Sequence, residues 1–351
     1  MENINFIQTN NLFSLNALTC LRNEYLFNDC QLCFERCEQK ALGIYKNKIK
    51  LFEELCTSCG GCIGVCPTQS LHLASFDVIH FIFSFLKKEA NTIVEKIDIP
   101  HFGIFDAPTL ISLILRAKHT IFLEYHPMTS LHDLDYIEKQ VHLSNHFLST
   151  IGVEYSLFLK PHQTPIENTT RRALFKNLMH ANQEIQQQNT MSQKLVEHQK
   201  TLPAKMVLFK NSLKLVCEDI TNTHISTSHF PLFNQKIEFE HCTNCVECIT
   251  FCPTNALFQS SSKESIFFQS GKCIGCNICH DVCQPHAIKE KEEIDLIEFM
   301  FDKAEKLVEF EYIKCEQCNN AFIHKNQGTL CEICQDYTQN YHDMFTLAKD
   351  L

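Results

Sequence analysis

The stretch that decides the fold runs from Cys242 to Cys283 and contains two cysteine runs of one pattern. The first run reads CTNCVECITFCP and ends at Pro253, directly after its fourth cysteine. The second run begins at Cys273 and reads CIGCNICHDVCQP, with its proline at Pro285. Each run has the spacing C-x2-C-x2-C-x3-C, in which three close thiolates on a tight loop can bind three irons of a cubane. Four chance cysteines would not repeat this spacing, so the runs predict iron-sulfur clusters.

A third copy of the pattern lies near the start of the chain. It consists of Cys56, Cys59, Cys62 and Cys66, followed directly by Pro67. Glycines stand between its ligands, and they allow the backbone to pass close to a bulky cofactor. The pattern is therefore an internal repeat that occurs at both ends of the chain.

The cysteines are too many to be explained as packing residues. The chain has 21 of them in 351 residues, in groups of eight, eight and four with one left over. The first residues have no positive segment and no small-residue cleavage site, so we expect no secretory signal and a cytoplasmic location. In a reducing compartment, clustered thiols are typical of metal sites rather than of disulfides.

The segment from Phe239 to about Ala287 resembles a two-cluster bacterial-type ferredoxin. The resemblance rests on the two runs and on the sequence PTNAL after Cys252, while QPHAI after Cys283 departs mildly from the family. In that family, the fourth cysteine of each run binds the cluster of the other run. The resemblance therefore implies two ligand sets: Cys242, Cys245, Cys248 and Cys283 for one cluster, and Cys252, Cys273, Cys276 and Cys279 for the other.

The N-terminal region repeats this unit less cleanly. When residues 30–42 are aligned with residues 245–257, three cysteines match and Phe27 stands where Cys242 would be. Phenylalanine cannot bind iron, and Cys20 is the spare thiol nearby. The same crosswise pattern then implies one cluster on Cys20, Cys30, Cys33 and Cys66, and another on Cys37, Cys56, Cys59 and Cys62. A three-ligand [3Fe-4S] site and a single cluster in this region are the alternatives.

Two CxxC knuckles near the C-terminal end predict a further metal site. They are formed by Cys315, Cys318, Cys331 and Cys334, with twelve residues between the knuckles. A tetrahedral thiolate set of this kind resembles a zinc ribbon, which usually holds a structural Zn²⁺. A single rubredoxin-type iron is the alternative, although these knuckles lack the proline and glycine typical of rubredoxin. Cys217 is interpreted as an ordinary buried thiol.

Residues 67–216 contain no cysteine and must fold by burying apolar side chains. Helical and strand-like patterns alternate there, which predicts a small parallel sheet with helices on its faces. Asp106 is a candidate helix N-cap, with Pro108 in the first turn. Ser130 is another candidate, ahead of apolar residues at helical spacing. From 166 to 203 we predict one long exposed helix or a helical linker.

The predicted fold class is mixed, α+β and α/β. Two ferredoxin-like dicluster modules flank a small parallel α/β domain, and a metal ribbon follows at the C-terminal end. The expected division is an N-terminal dicluster module at 1–75, the α/β domain at 76–165, a helix and linker region at 166–235, a C-terminal dicluster module at 236–292, and a helix with a zinc-ribbon-like tail at 293–351.

Charge and hydropathy argue against several classes of partner. The formal net charge is −10, and thiolate-bound clusters and zinc would make the protein more acidic. Nucleic acid is therefore not an expected partner. The most apolar stretch, 76–86, is about half the length that spans a bilayer, so no membrane span is expected. His142 and His146 lie one helical turn apart but have no third ligand nearby.

Together these features predict an iron-sulfur electron-transfer protein that relays single electrons between redox protein partners. By analogy with polyferredoxin subunits, it would be part of, or feed, a larger oxidoreductase such as a dehydrogenase or hydrogenase. The chain contains no Gly-rich dinucleotide loop and no flavin fingerprint, so we assign no catalytic residue.

Two other functions stay open. An iron-sulfur enzyme would use the middle domain for a substrate or cofactor, and an assembly or regulatory protein would use the clusters as sensors. The arrangement of the modules is also open. They form one continuous electron-transfer path (one wire) if the middle domain brings them together. If it does not, they are two separate docking sites (ports) for redox partners.

Overall fold

The computed structural model describes residues 7–10, 13–25, 28–163, 200–228, 230–325 and 328–341. Within these residues, the strands form seven small sheets of two or three strands each, with helices between them. The mixed helix-and-sheet class is therefore confirmed. Most of the helix predicted over 166–203 lies outside the described residues.

The N-terminal region consists of short strands and two short helices. In chain order they are β1 (Ile7–Asn10), β2 (Phe13–Asn16), α1 (Leu21–Glu24), α2 (Leu32–Arg36), β3 (Leu42–Tyr45), β4 (Lys48–Leu51) and β5 (Leu71–Leu73). Strand β2 pairs antiparallel with β1 and β5, and β3 pairs with β4 in a hairpin. Lys46 and Asn47 turn this hairpin with φ angles of 48° and 62°, the left-handed backbone that suits a tight two-residue turn.

The middle region alternates helices and strands. In chain order they are α3 (Val78–Lys87), β6 (Thr92–Val94), α4 (Ala107–Ala117), β7 (Ile121–Tyr125), α5 (Leu131–Thr150) and β8 (Leu157–Pro161). The three strands form one parallel sheet in the order β6-β7-β8. Helices α4 and α5 begin where the sequence predicted. The side chain of Asp106 accepts from the Thr109 amide at 3.0 Å, and that of Ser130 accepts from the Asp133 amide at 3.1 Å, so both residues act as N-caps.

Helix α4 is the centre of the middle region. Every residue from Ala107 to Leu115 is buried, which is expected of a helix that packs on all sides rather than on one face. It contacts α5 on one side and the next helix, α6 (Ala204–Lys214), on another. The middle region therefore has a substantial apolar core that requires no metal.

The C-terminal region again consists of short elements. After α6 they are β9 (His224–Ser226), β10 (Gln235–Ile237), α7 (Glu247–Thr250), β11 (Leu257–Gln259), β12 (Ser265–Phe268), α8 (Ile278–Asp281), β13 (Ile288–Glu290), β14 (Glu293–Asp295), α9 (Leu296–Met300), β15 (Glu305–Glu309), β16 (Tyr312–Lys314), β17 (Ala321–Ile323) and α10 (Glu332–Asp336). Single 3-10 turns occur at Glu53–Leu55, Phe102–Ile104 and Ser270–Lys272, and one π-helical turn at Tyr337–Tyr341. All strand pairs in this region are antiparallel.

The two cysteine-rich regions share one arrangement of strands. In the C-terminal region, β10 pairs with β13 to form an outer pair. The two strands between them in sequence, β11 and β12, pair with each other. In the N-terminal region, β2 and β5 form the outer pair around the hairpin β3-β4. The repeat that the cysteine spacing indicates is thus also present in the strand pairing.

The apolar side chains form two cores. The larger core joins the N-terminal region, the parallel sheet with its helices, and part of the C-terminal region that includes Ile274, Ile278 and Phe299. The smaller core lies between the other side of the C-terminal region and β15, which contributes Val308. The two cysteine-rich regions are therefore packed together rather than held apart. Among the described residues, no helix is long and apolar enough to cross a membrane.

Candidate metal centres

The C-terminal cysteines surround two cavities in a crosswise manner. One cavity is lined by Cys242, Cys245, Cys248 and Cys283. A second cavity is lined by Cys252, Cys273, Cys276 and Cys279. The fourth cysteine of each run therefore faces the cavity built by the other run. These are the two sets implied by the resemblance to ferredoxins.

Helix geometry explains why the fourth cysteine of each run points away from the other three. Helices α7 and α8 each begin after a residue in the left-handed conformation, Val246 in one case and Asn277 in the other. The left-handed residue separates the first two cysteines, in the loop, from the short helix that carries the third cysteine and leads to the fourth. Gly275 in the second loop also has a positive φ of 64°, and a side chain there would meet Phe233 at 2.1 Å. Only glycine fits at this position.

The N-terminal region has a cavity of the same kind. It is lined by Cys20, Cys30, Cys33 and Cys66. Cys20 reaches it from the start of α1, where its carbonyl accepts from the Glu24 amide at 2.9 Å. Burial, with smaller contributions from the Cys66 and Cys30 thiolates, raises the pKa of Cys20 to about 11. Phe27, the residue that prompted the search for a displaced ligand, lies outside the described residues.

The fourth predicted set gathers around Cys62, which is buried. Burial raises the pKa of Cys62 well above its usual value, and the charges of neighbouring thiolates raise it further. Those neighbours are Cys33, Cys59, Cys37 and Cys56. Three of them are the other members of the predicted set, and Cys33 belongs to the adjacent one. The members of each of the other three sets line one cavity.

One hydrogen bond recurs at the fourth cysteine of every complete run. The backbone amide four residues later donates to its sulfur, from Ser70 to Cys66 at 3.2 Å, from Ala256 to Cys252 at 3.2 Å, and from Ala287 to Cys283 at 3.3 Å. The backbone therefore offers a hydrogen-bond donor to the sulfur of the fourth cysteine in each complete run.

The spacing of the sulfurs distinguishes the cavities from a single-ion site. Among the described residues, Cys315, Cys318, Cys331 and Cys334 are the one group of cysteines whose sulfurs all lie within 4.8 Å of one another. The cysteines around the cavities are farther apart, as a cubane of four irons and four sulfides requires. Burial raises the pKa of both Cys248 and Cys273 to about 12. A cationic cluster would offset the cost of ionising such thiols, so these residues fit [4Fe-4S] clusters.

The C-terminal knuckles have the geometry of a one-ion site. Cys315 follows β16 and is buried, and backbone amides of Cys318 and Cys331 lower its pKa to about 6. The sulfurs of Cys318 and Cys331 are 3.7 Å apart. Four sulfurs this close suit a tetrahedral metal ion. Four thiolates at this spacing can bind either zinc or a single iron. Cys217 does not belong to this group.

The sequence did not indicate a buried lysine beside the N-terminal cysteines. Lys205, at the start of α6, forms an ion pair with Asp106 at 2.7 Å. Its ammonium also donates to the carbonyl oxygens of Cys66, at 2.7 Å, and Gly64, at 3.2 Å. Both carbonyls belong to the third cysteine run. A positive charge therefore lies inside the protein next to the backbone of a predicted ligand.

The histidines play a modest part in the described structure. His142 and His146 are exposed, and no metal-binding group of the described residues includes them. His280, beside the C-terminal cysteines, shares a hydrogen bond of 2.8 Å with Gln235. Burial lowers the pKa of His280, which favours its neutral form. His101 packs its ring close to Gly61 and pairs with Asp133 at 3.0 Å.

The two cysteine-rich regions meet at their inner cavities. The side chain of Asn28, in the N-terminal region, donates to the carbonyl oxygen of Cys276 at 3.2 Å. A pocket at the junction is lined on one side by Thr68 and on the other by Thr254. These threonines occupy equivalent positions, two residues after the fourth cysteine of their runs. The two cysteine-rich regions therefore adjoin.

Comparison with known families agrees with this geometry. Residues 234–284 match the model of the 4Fe-4S dicluster domain, and residues 49–72 match that of the 4Fe-4S binding domain. The matched residues include all three complete cysteine runs. No curated protein matches the chain. The predicted resemblance to ferredoxins is confirmed for these segments.

Proposed function

We propose that the chain relays single electrons through four [4Fe-4S] clusters that form one path, because two of its segments match models of 4Fe-4S domains. The observation that carries this proposal is the contact between the two cysteine-rich regions, through the pocket that both of them line and the hydrogen bond from Asn28 to Cys276. Two separate ports would not need such a contact. We further propose that the knuckles hold a structural Zn²⁺ and that the protein works in the reducing cytoplasm.

The order of the four cluster sites along the path is inferred from which thiols of one site lie near a thiol of another site. The charge of Cys33 raises the pKa of Cys62, which connects the two N-terminal sites. The charge of Cys248 contributes in the same way to the raised pKa of Cys279, which connects the two C-terminal sites. The path therefore runs from the Cys56 set to the Cys20 set, across the junction, and on through the Cys273 set to the Cys242 set.

The two ends of this path are the natural places for redox partners. Cys59 is exposed at one end and Cys245 at the other. At the first end, Glu53 and Glu54 are exposed just ahead of the cysteine run, which favours a partner with a basic surface. At the other end, Glu240 and Glu247 are exposed at the Cys242 run. We propose that redox partners with basic surfaces dock at the two ends, one of them a dehydrogenase or hydrogenase.

Metal analysis of protein purified without oxygen tests the four-cluster proposal. We expect about sixteen irons, about sixteen sulfides and about one zinc per chain, because each cubane contains four irons and four sulfides. Dithionite titration should show about four one-electron reductions. Replacing Cys318 with serine should remove zinc and leave the iron in place. Eight irons or fewer in fully reconstituted protein would contradict the proposal, and iron in place of zinc would identify a rubredoxin-type site.

Lys205 should raise the reduction potential of the N-terminal clusters. A unit charge several ångströms away is worth roughly 2 kcal/mol at an effective dielectric constant near 20, which corresponds to roughly 80 mV for one electron. In Lys205→Met, we expect the N-terminal potentials to fall by about this amount, measured by EPR-monitored redox titration. Lys210→Met is the matched control, since Lys210 is an equally buried lysine on α6 that pairs with Asp302 instead. Equal shifts in both variants would contradict the prediction.

A further inference from the structure

One side chain joins the two cysteine-rich regions at the level of their ligands. Asn28 is 6% exposed, so it is buried at the junction. Its amide group donates from Nδ2 to the carbonyl oxygen of Cys276 at 3.2 Å. Its Oδ1 accepts from the backbone amide of Cys30 at 3.1 Å. Cys30 lines the inner N-terminal cavity and Cys276 lines the inner C-terminal cavity, so a single amide connects the two sites.

The surroundings hold this amide in place. Arg22, which is also buried, donates to the carbonyl oxygens of Asp29 at 2.5 Å and Cys30 at 2.8 Å. The backbone at Asp29 and Cys30, next to Asn28, is thus anchored by the buried Arg22 side chain.

We propose that Asn28 is the positioning residue through which electrons cross between the N-terminal and C-terminal clusters. This inference rests on the proposed relay and adds the place of the crossing. An electron tunnels more readily through covalent and hydrogen bonds than through an empty gap. The connection from Cys30 to Cys276 consists of covalent bonds and two hydrogen bonds. Each crossing oxidises one cluster by one electron and reduces the other by one, and no proton is transferred.

The variant Asn28→Asp separates the bridge from the local turn. Aspartate keeps an oxygen that can accept from the Cys30 amide, but it cannot donate to the carbonyl of Cys276. Asn28→Ala removes both bonds. Asn23→Ala is the matched control, because Asn23 is equally buried and makes both of its hydrogen bonds to the backbone of Ile49, inside the N-terminal region.

The experiment is flash photoreduction of the intact protein, with the redistribution of electrons between clusters followed by rapid-freeze EPR. We expect both Asn28 variants to retain their iron and to slow the transfer between regions by about tenfold, as loss of a supporting hydrogen bond commonly does at metal sites. Asn23→Ala should transfer electrons at the wild-type rate.

Four results would overturn the inference, and they have three distinct meanings. An unchanged rate in Asn28→Asp, or equal slowing in Asn23→Ala, would show that the bridge does not carry the crossing, while the relay itself would stand. Loss of iron from Asn28→Asp would show that Asn28 only stabilises the turn at Cys30, and so supports cluster binding rather than electron transfer. Absence of any transfer between regions in the wild-type protein would remove the proposed relay, and the inference with it.

Discussion

Replacing Cys20 with serine should convert one cubane into a three-iron cluster. Cys20 lines the same cavity as Cys30, Cys33 and Cys66, and without it one iron of the inner N-terminal cluster would have no thiolate. We expect iron to fall from about sixteen to about fifteen per chain after mild oxidation. A [3Fe-4S] EPR signal should appear, while the signals of the C-terminal pair should stay as in the wild-type protein.

Cys217→Ser is the matched control for this experiment. Cys217 is a half-buried thiol with the same chemistry, but it lines none of the four cysteine sites. Its replacement should change neither the iron content nor the spectrum. A full cubane complement in Cys20→Ser would show that the site is completed by another group. Loss of all N-terminal iron would show instead that Cys20 is needed for folding of this region, and Cys20→Ala would then give the same result.

The cysteine sites were largely predictable from the sequence because ferredoxin-type spacing is local. Three ligands of the Cys56, Cys242 and Cys273 sets lie within seven residues of one another, so the local spacing alone predicts their grouping. Helix starts were predictable for the same reason, since Asp106 and Ser130 cap helices through amides three residues ahead. The alignment of the two cysteine-rich regions also led to Cys20, which lines the same cavity as Cys30, Cys33 and Cys66. Its role as a cluster ligand stays a prediction.

Contacts between distant parts of the chain were not predictable in this way. Lys205 meets Cys66 across 139 positions of sequence, and Asn28 meets Cys276 across 248. Nothing in the local composition distinguishes Lys205 from the exposed lysines of other helices, because its burial follows from how α6 packs on α4. The junction of the two regions likewise depends on the larger core, to which both contribute. Sequence periodicity indicates which side chains are buried, but not which other side chains they pack against.

Removing the metals should unfold the cysteine-rich regions and spare the middle of the chain. In the smaller core, three of the twelve buried residues are the cysteines Cys248, Cys252 and Cys283. Cluster binding therefore supplies much of the stability of that region. Helix α4, by contrast, is surrounded by apolar side chains and buries every residue from Ala107 to Leu115. Limited proteolysis of the chelated apoprotein should leave a resistant fragment within residues 70–215, whereas the metal-loaded protein should resist throughout.

A cavity variant shows whether this resistance comes from the apolar core. Leu110 is fully buried in α4, and Leu110→Ala should cost about 2–5 kcal/mol. That loss is a large part of the stability of an ordinary domain, so the apoprotein fragment should be digested much faster in Leu110→Ala than in the wild-type chain. Leu131→Ala is the matched control, since Leu131 is 85% exposed on α5 and its loss should change little. If wild-type apoprotein is digested as fast in the middle as at its ends, the parallel sheet and its helices depend on the clusters too. The larger core, which joins this sheet to the N-terminal region, would then be one folding unit with the iron-sulfur sites.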